Sequence, residues 1–129
     1  MTNRDIFNAA VYLAGETVPA GNADYEIRSA SLLALIYTEC AALDAAYRSA
    51  NGLDADEQTP RVSVSLSDPF PLCEVFSAPA AYALAALLTL DENAELSKTM
   101  DLRFSSLIEQ IRRGIPAATE PITDIYRLF

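Results

Sequence analysis

The feature that most constrains this chain is the stretch from Ala23 to Ala50: 28 residues without a glycine or a proline, closed by Asn51-Gly52. Tyr25, Leu32, Leu33, Ile36, Cys40, Leu43 and Tyr47 recur along it at helical spacing. Asn22 stands where an N-cap belongs, and Asp24 and Glu26 suit the positive end of the helix dipole. At 1.5 Å per residue such a helix reaches roughly 40 Å. A chain of 129 residues that commits this much of itself to one helix must pack the others along it.

Three more segments carry the same 3.6-residue signature. The first runs from about Asn3 to Ala14, with Ile6, Phe7, Ala10, Val11 and Ala14 on one face. Thr2 and Asp5 have the spacing of a capping box, with Asp in place of Glu. Gly15 and Pro19 end it. The third covers Leu72 to Leu90 and contains Pro79, which a helix interior tolerates poorly. A short turn at Leu72–Phe76, then Ser77 capping a helix from Ala78 with Pro79 in its first turn, resolves this. Ala80, Ala81, Ala83, Ala85 and Ala86 make that helix slim, so neighbours can approach closely. The fourth runs from about Asn93 to Arg113, with Leu96, Met100, Phe104, Leu107, Ile108 and Ile111 as its stripe, and Gly114 and Pro116 after it.

The expected fold is therefore all-α: a helical bundle of about four main helices, residues 1–116, followed by a C-terminal tail, residues 117–129. The 22 alanines and 16 leucines against 4 glycines agree with it. Residues 51–61 are polar, acidic and unpatterned, and read as an exposed loop. Val62-Ser63-Val64-Ser65-Leu66 alternates strictly, the pattern of a short strand or extended loop.

Little in the chain points to catalysis. Its lack of histidine removes the commonest general base and metal ligand. No phosphate-binding glycine loop, nucleophile elbow or zinc signature is present. The acids at Asp54/Asp56 and Asp91/Glu92/Glu95 read as capping and solubility features rather than a cation site. No catalytic, cofactor or metal residues are expected, and no cofactor. Cys40 and Cys73 form no CxxC pair; Cys40 lies on the apolar stripe of the long helix, so a buried free thiol is expected. The net charge is −9, of which residues 51–100 carry −6, and Lys98 is the one lysine. Without a basic patch, neither sequence-specific nucleic-acid binding nor an anionic membrane surface is expected. No basic region followed by an apolar one opens the chain, which reads as cytoplasmic.

Two features stand out against that background. A lone strand at 62–66 leaves its N–H and C=O groups to be satisfied, either by another edge or, as an extended loop, by water. The tail ends in Ile122, Ile125, Tyr126, Leu128 and Phe129, whereas chain ends are usually polar. It could fold back on its own bundle or dock on a partner. Val62, Val64, Leu66, Ile122, Ile125, Tyr126, Leu128 and Phe129 are the candidate partner-binding residues.

This order of parts resembles the head-to-tail adaptor (connector, or neck) proteins of tailed phages and prophages. The resemblance rests on the opening Ile6-Phe7-Asn8-Ala9-Ala10-Val11-Tyr12-Leu13-Ala14-Gly15-Glu16, the long helix ending Leu43-Asp44-Ala45-Ala46-Tyr47, and the following loop with its strand and Asp-Pro turn. It includes the alanine-rich Ala78-Pro79-Ala80-Ala81-Tyr82-Ala83-Leu84-Ala85-Ala86-Leu87-Leu88 before a final helix. It extends from about residue 5 to 113. It implies a helical structural protein without enzymatic activity, joining the portal to the tail in virion assembly. Its partners would be other copies in a ring and a portal or tail protein, with the loop after the second helix and the C-terminal tail touching them. An acidic channel face would let DNA pass without sticking. The protein would be cytoplasmic during assembly and then part of the virion. The other reading of the residues is a small helical interaction or regulatory module.

Overall fold

A computed structural model describes residues 1–15, 23–54 and 63–115. It is an all-α bundle of four helices: α1 (Asn3–Leu13), α2 (Ala23–Ala50), α3 (Ser77–Leu88) and α4 (Ala94–Arg113), with a 3-10 turn at Glu74–Phe76 leading into α3. All four capped stripes of the sequence become helices. The slim α3 is the hub, packing against α1, α2 and α4. Its alanines explain this: Ala80, Ala81, Ala83, Ala85 and Ala86 are all buried, so much of its surface is small enough for three helices to close on it. Larger groups fill the remaining core: Phe7 and Val11 from α1, Tyr25, Leu33 and Ile36 from α2, Leu84 and Leu88 from α3, and Phe76 from the turn.

The helix ends follow the local chemistry. The Asp5 carboxylate accepts from the Thr2 backbone N–H at 2.8 Å, completing the expected box, and Gly15 takes a left-handed φ of +89° beyond α1. At the end of α2, Gly52 has φ +69°, and the Leu53 and Gly52 N–H groups return to the carbonyls of Arg48 and Ser49. That is a Schellman cap, with glycine at the position that requires a positive φ. Asn93 accepts from the Leu96 N–H at 3.0 Å and caps α4. Asn22, the expected cap of α2, lies outside the described residues.

Two details differ from the sequence expectation, and one open alternative, strand or extended loop, is decided for the loop. Ser77 does not cap α3: it is already helical, because the 3-10 turn runs straight into the helix, and Pro79 sits buried in the first turn. Gly114 closes α4 at φ −77°, so it acts as an ordinary helix end rather than a left-handed stop. Among the described residues there is no strand. Residues 63–72 form an extended strap, with a single bridge between Thr2 and Pro69.

Several of the strap's backbone groups find partners within the chain. The first N–H groups of any helix lack intrahelical partners; here those of Asn3 and Arg4 donate to the carbonyls of Asp68 and Leu66, both at 2.9 Å. The Phe70 N–H donates to the Met1 carbonyl, and the Val64 N–H to that of Ala30 on α2. Val64, Leu66 and Leu72 point into the core. The start of α1 and the strap thus supply each other's missing partners.

Candidate functional site

Few polar side chains are buried, and they do structural work. Asn3 is fully enclosed: its amide accepts from the Tyr37 hydroxyl at 2.7 Å and donates to the Ser65 carbonyl at 2.9 Å, joining α1, α2 and the strap. Asp44, 1% exposed, accepts from the Arg48 Nε and from the Cys73 backbone N–H, both at 2.9 Å. Arg48 also reaches the Pro71 carbonyl. This pair pins the end of α2 to the segment that leads into α3. Ser97 on α4 donates to the Ala86 carbonyl at 2.7 Å.

No cluster of three or more metal-ligating groups occurs among the described residues. The acids Asp91, Glu92 and Glu95 do not converge on a cation position; the Glu92 carboxylate instead accepts from the Tyr25 hydroxyl. Cys40 is buried and free, as expected, and Cys73 is free and half-buried. Burial, and then the neighbouring Glu39 and Asp44 charges, push the Cys40 thiol up to about 11. Burial and the Asp44 carboxylate also raise Cys73. Neither thiol has the lowered pKa of a nucleophile.

What the surface offers instead is apolar shape. An apolar groove of about 530 Å³ runs between α1 and α3, lined chiefly by Ile6, Ala9, Tyr12, Leu13, Ala81 and Tyr82. Tyr12 stands 65% exposed on its rim. A second groove of about 310 Å³ lies between the end of α2, the 3-10 turn and α4, lined by Tyr47, Val75, Pro79, Leu107, Ile111 and Gly114. The two meet at Ala78, which lines both.

The outward face of α2 is the third such surface. Ser31, Leu35, Thr38, Ala42, Ala45 and Ser49 are all exposed. They recur at intervals of four and three, the spacing of a helix–helix seam; none is charged, and the exposed acids Asp24 and Glu39 lie beside them. Ile27, 75% exposed, extends this face at one end. Sequence reasoning found only the inner stripe of α2 and missed this outer one. Both stripes together make α2 long and apolar enough, by length and composition alone, to cross a membrane. In the bundle its inner stripe is core, interrupted by the buried Asp44.

Of the residues expected to bind a partner, Val64 and Leu66 lie in the core under the strap. Val62, Ile122, Ile125, Tyr126, Leu128 and Phe129 lie outside the described residues. No family model, curated protein or solved structure matches the chain. The class that geometry defines is a small all-α bundle with two largely apolar grooves on its surface.

Proposed function

We propose that the chain is a structural assembly protein without catalytic activity, and specifically a head-tail connector of the tailed-phage or prophage type, placed between portal and tail. The observation that carries the assembly reading is the outward face of α2. That face holds two large exposed apolar side chains at helix–helix spacing with a row of small residues. Ile27 and Leu35 are the large apolar side chains on that face and Ala42 and Ala45 the small ones, a pattern that suits packing against another helix. The step from assembly protein to connector rests on the order of parts: a short opening helix, a long second helix, a strap through an Asp-Pro turn, an alanine-rich helix and a final helix. In this reading the partners are other copies arranged in a ring and a portal or tail protein. Residues 122–129 are the segment that reaches the partner in the assembled state. The net charge of −9 suits a channel wall that DNA must pass without adhering. The chain acts in the cytoplasm during assembly and ends in the virion.

Sedimentation of the purified chain with Leu35→Asp and Ala42→Glu variants tests the assembly reading. Both positions are exposed, so the helix should form unchanged while self-association or portal association is lost. If both variants associate like the parent, the outward face of α2 is ordinary surface. A small regulatory module would instead stay monomeric and bind a partner unrelated to any portal.

A further inference from the structure

We propose that copies of this chain join through two unlike surfaces: the outward face of α2 in one copy lies in the α1/α3 groove of the next. This rests on the reading that copies assemble, and it names the surface that receives α2. A two-fold pair can use one patch twice, whereas a ring larger than a dimer needs two different patches that fit each other. The molecule carries such a pair. Ile27 and Leu35 stand exposed on α2 as a ridge. The groove between α1 and α3 is apolar along most of its lining. Their lengths agree. Ile27 and Leu35 lie eight positions apart, about 12 Å of helix, and the groove follows α1 over the eight positions from Asp5 to Leu13.

The charges agree as well, and they set the direction. Asp5 lines the groove near the start of α1. Met1 lines this groove together with Ser77, and also a hollow with Leu72 and Glu74, so α1 and α3 begin side by side. Tyr12 and Tyr82 therefore lie toward the far end, where the exposed Arg103 guanidinium sits 5.8 Å from the centre of the Tyr82 ring. The groove thus has an acid at one end and a cation at the other. The ridge has the opposite polarity: Arg28 follows Ile27, and Glu39 stands one turn beyond Leu35. Arg28 and Glu39 are three helical turns apart, so they share one flank of α2. With Ile27 by Asp5 and Leu35 by Tyr82, the ridge brings Arg28 to Asp5 and Glu39 to Arg103. The reverse direction sets Glu39 on Asp5 and Arg28 on Arg103, and like charges across a contact oppose it. The Glu39–Arg103 contact is the more informative of the two, because Asp5 already accepts from Thr2 and Arg28 already holds Asp24 at 3.5 Å.

The test uses the full-length chain in a Cys73→Ala background, which leaves the buried Cys40 as its native thiol. Ser31 lies midway along the ridge and Ala9 midway along the groove, and both are exposed. Ser31→Cys and Ala9→Cys are made in separate chains, mixed, and oxidised with glutathione disulfide. Heterodimers joining position 31 to position 9 are expected to predominate over either homodimer. By sedimentation, Glu39→Arg or Arg103→Glu should each weaken self-association roughly tenfold, since an attractive contact becomes a repulsive one. The two changes in one chain should restore it. Both positions are exposed, so the bundle itself is undisturbed. Homodimers through position 31 in excess would place α2 against α2 and overturn the proposal while self-assembly stands. Loss of association in Leu35→Asp with both charge variants unaffected would do the same. A parent chain that neither cross-links nor sediments above the monomer would overturn this proposal and the assembly reading together.

Discussion

Replacing Asp44 with alanine should cost more than any other single change at a polar position. The carboxylate is buried and makes two hydrogen bonds of 2.9 Å, one to the charged Arg48 and one to the Cys73 N–H. Removing one member of a buried pair costs about 3–5 kcal/mol, because the other charge stays behind without its counterpart. Arg48 retains the carbonyls of Pro71 and Asp54 as acceptors, which keeps the loss at the lower end. The Cys73 N–H, by contrast, is left without its carboxylate acceptor. A loss of about 3 kcal/mol follows, against a total of roughly 5–15 kcal/mol for a domain of this kind. With a urea slope of about 1.5 kcal/mol per molar, the midpoint should fall by about 2 M. Asp44→Asn keeps an acceptor for Cys73 and loses only the charge, so it should fall by about half as much. The double variant with Arg48→Ala should cost less than the sum of the single changes, since each residue stabilises the other. A shift below about 0.5 M for Asp44→Ala would refute the reasoning, and with it the role of this pair in fixing the end of α2 to the start of α3.

The same logic extends to the other buried polar groups. Tyr37→Phe leaves the Asn3 carbonyl without its hydroxyl donor and should cost about 1–2 kcal/mol; Asn3→Ala loses both bonds and should cost about 2–3 kcal/mol, measured by the same urea transitions. Hydrogen exchange in Asn3→Ala should rise first in the strap, residues 63–72, because that side chain holds the Ser65 carbonyl. The Cys40 thiol should resist a thiol reagent at pH 8 without denaturant, reacting at least a hundredfold more slowly than a free peptide and after Cys73. Its raised pKa also sets a sign with pH. The folded state favours the neutral thiol, so its contribution is complete below the unfolded value of about 9 and is lost as pH climbs toward about 11. Thermal unfolding followed across pH 8 to 11 should show that decline, with a shallower slope in Cys40→Ala.

The helices were legible because their ends are written locally. Thr2 with Asp5, Asn51-Gly52 and Asn93 each fix a boundary through chemistry within four residues, and the inner stripe of α2 marks its core face. The alternation at 62–66 carried the opposite lesson. A period of two shows that Val64 and Leu66 share a side, and they do share the core; it does not show that the backbone pairs with a strand. Its partners are the unpaired N–H groups of α1, some sixty residues earlier, and no local pattern encodes that. Asp44 was invisible for a related reason. An acid four residues before Arg48 reads as an exposed pair, and only the approach of the Cys73 backbone explains its burial. The outer face of α2 was missed because alanine, serine and threonine raise no hydrophobic signal. Their spacing stands out once the inner stripe is seen to be used by the bundle.

The most direct test of the connector reading is the mass of a complex. The chain should be produced together with the portal protein encoded in the same gene neighbourhood, and the assembly weighed by native mass spectrometry. The reading predicts a portal ring carrying a closed, whole-number set of copies of this chain, lost with Leu35→Asp. A chain that stays single, leaves the portal mass unchanged, or is encoded with no portal gene nearby would contradict it.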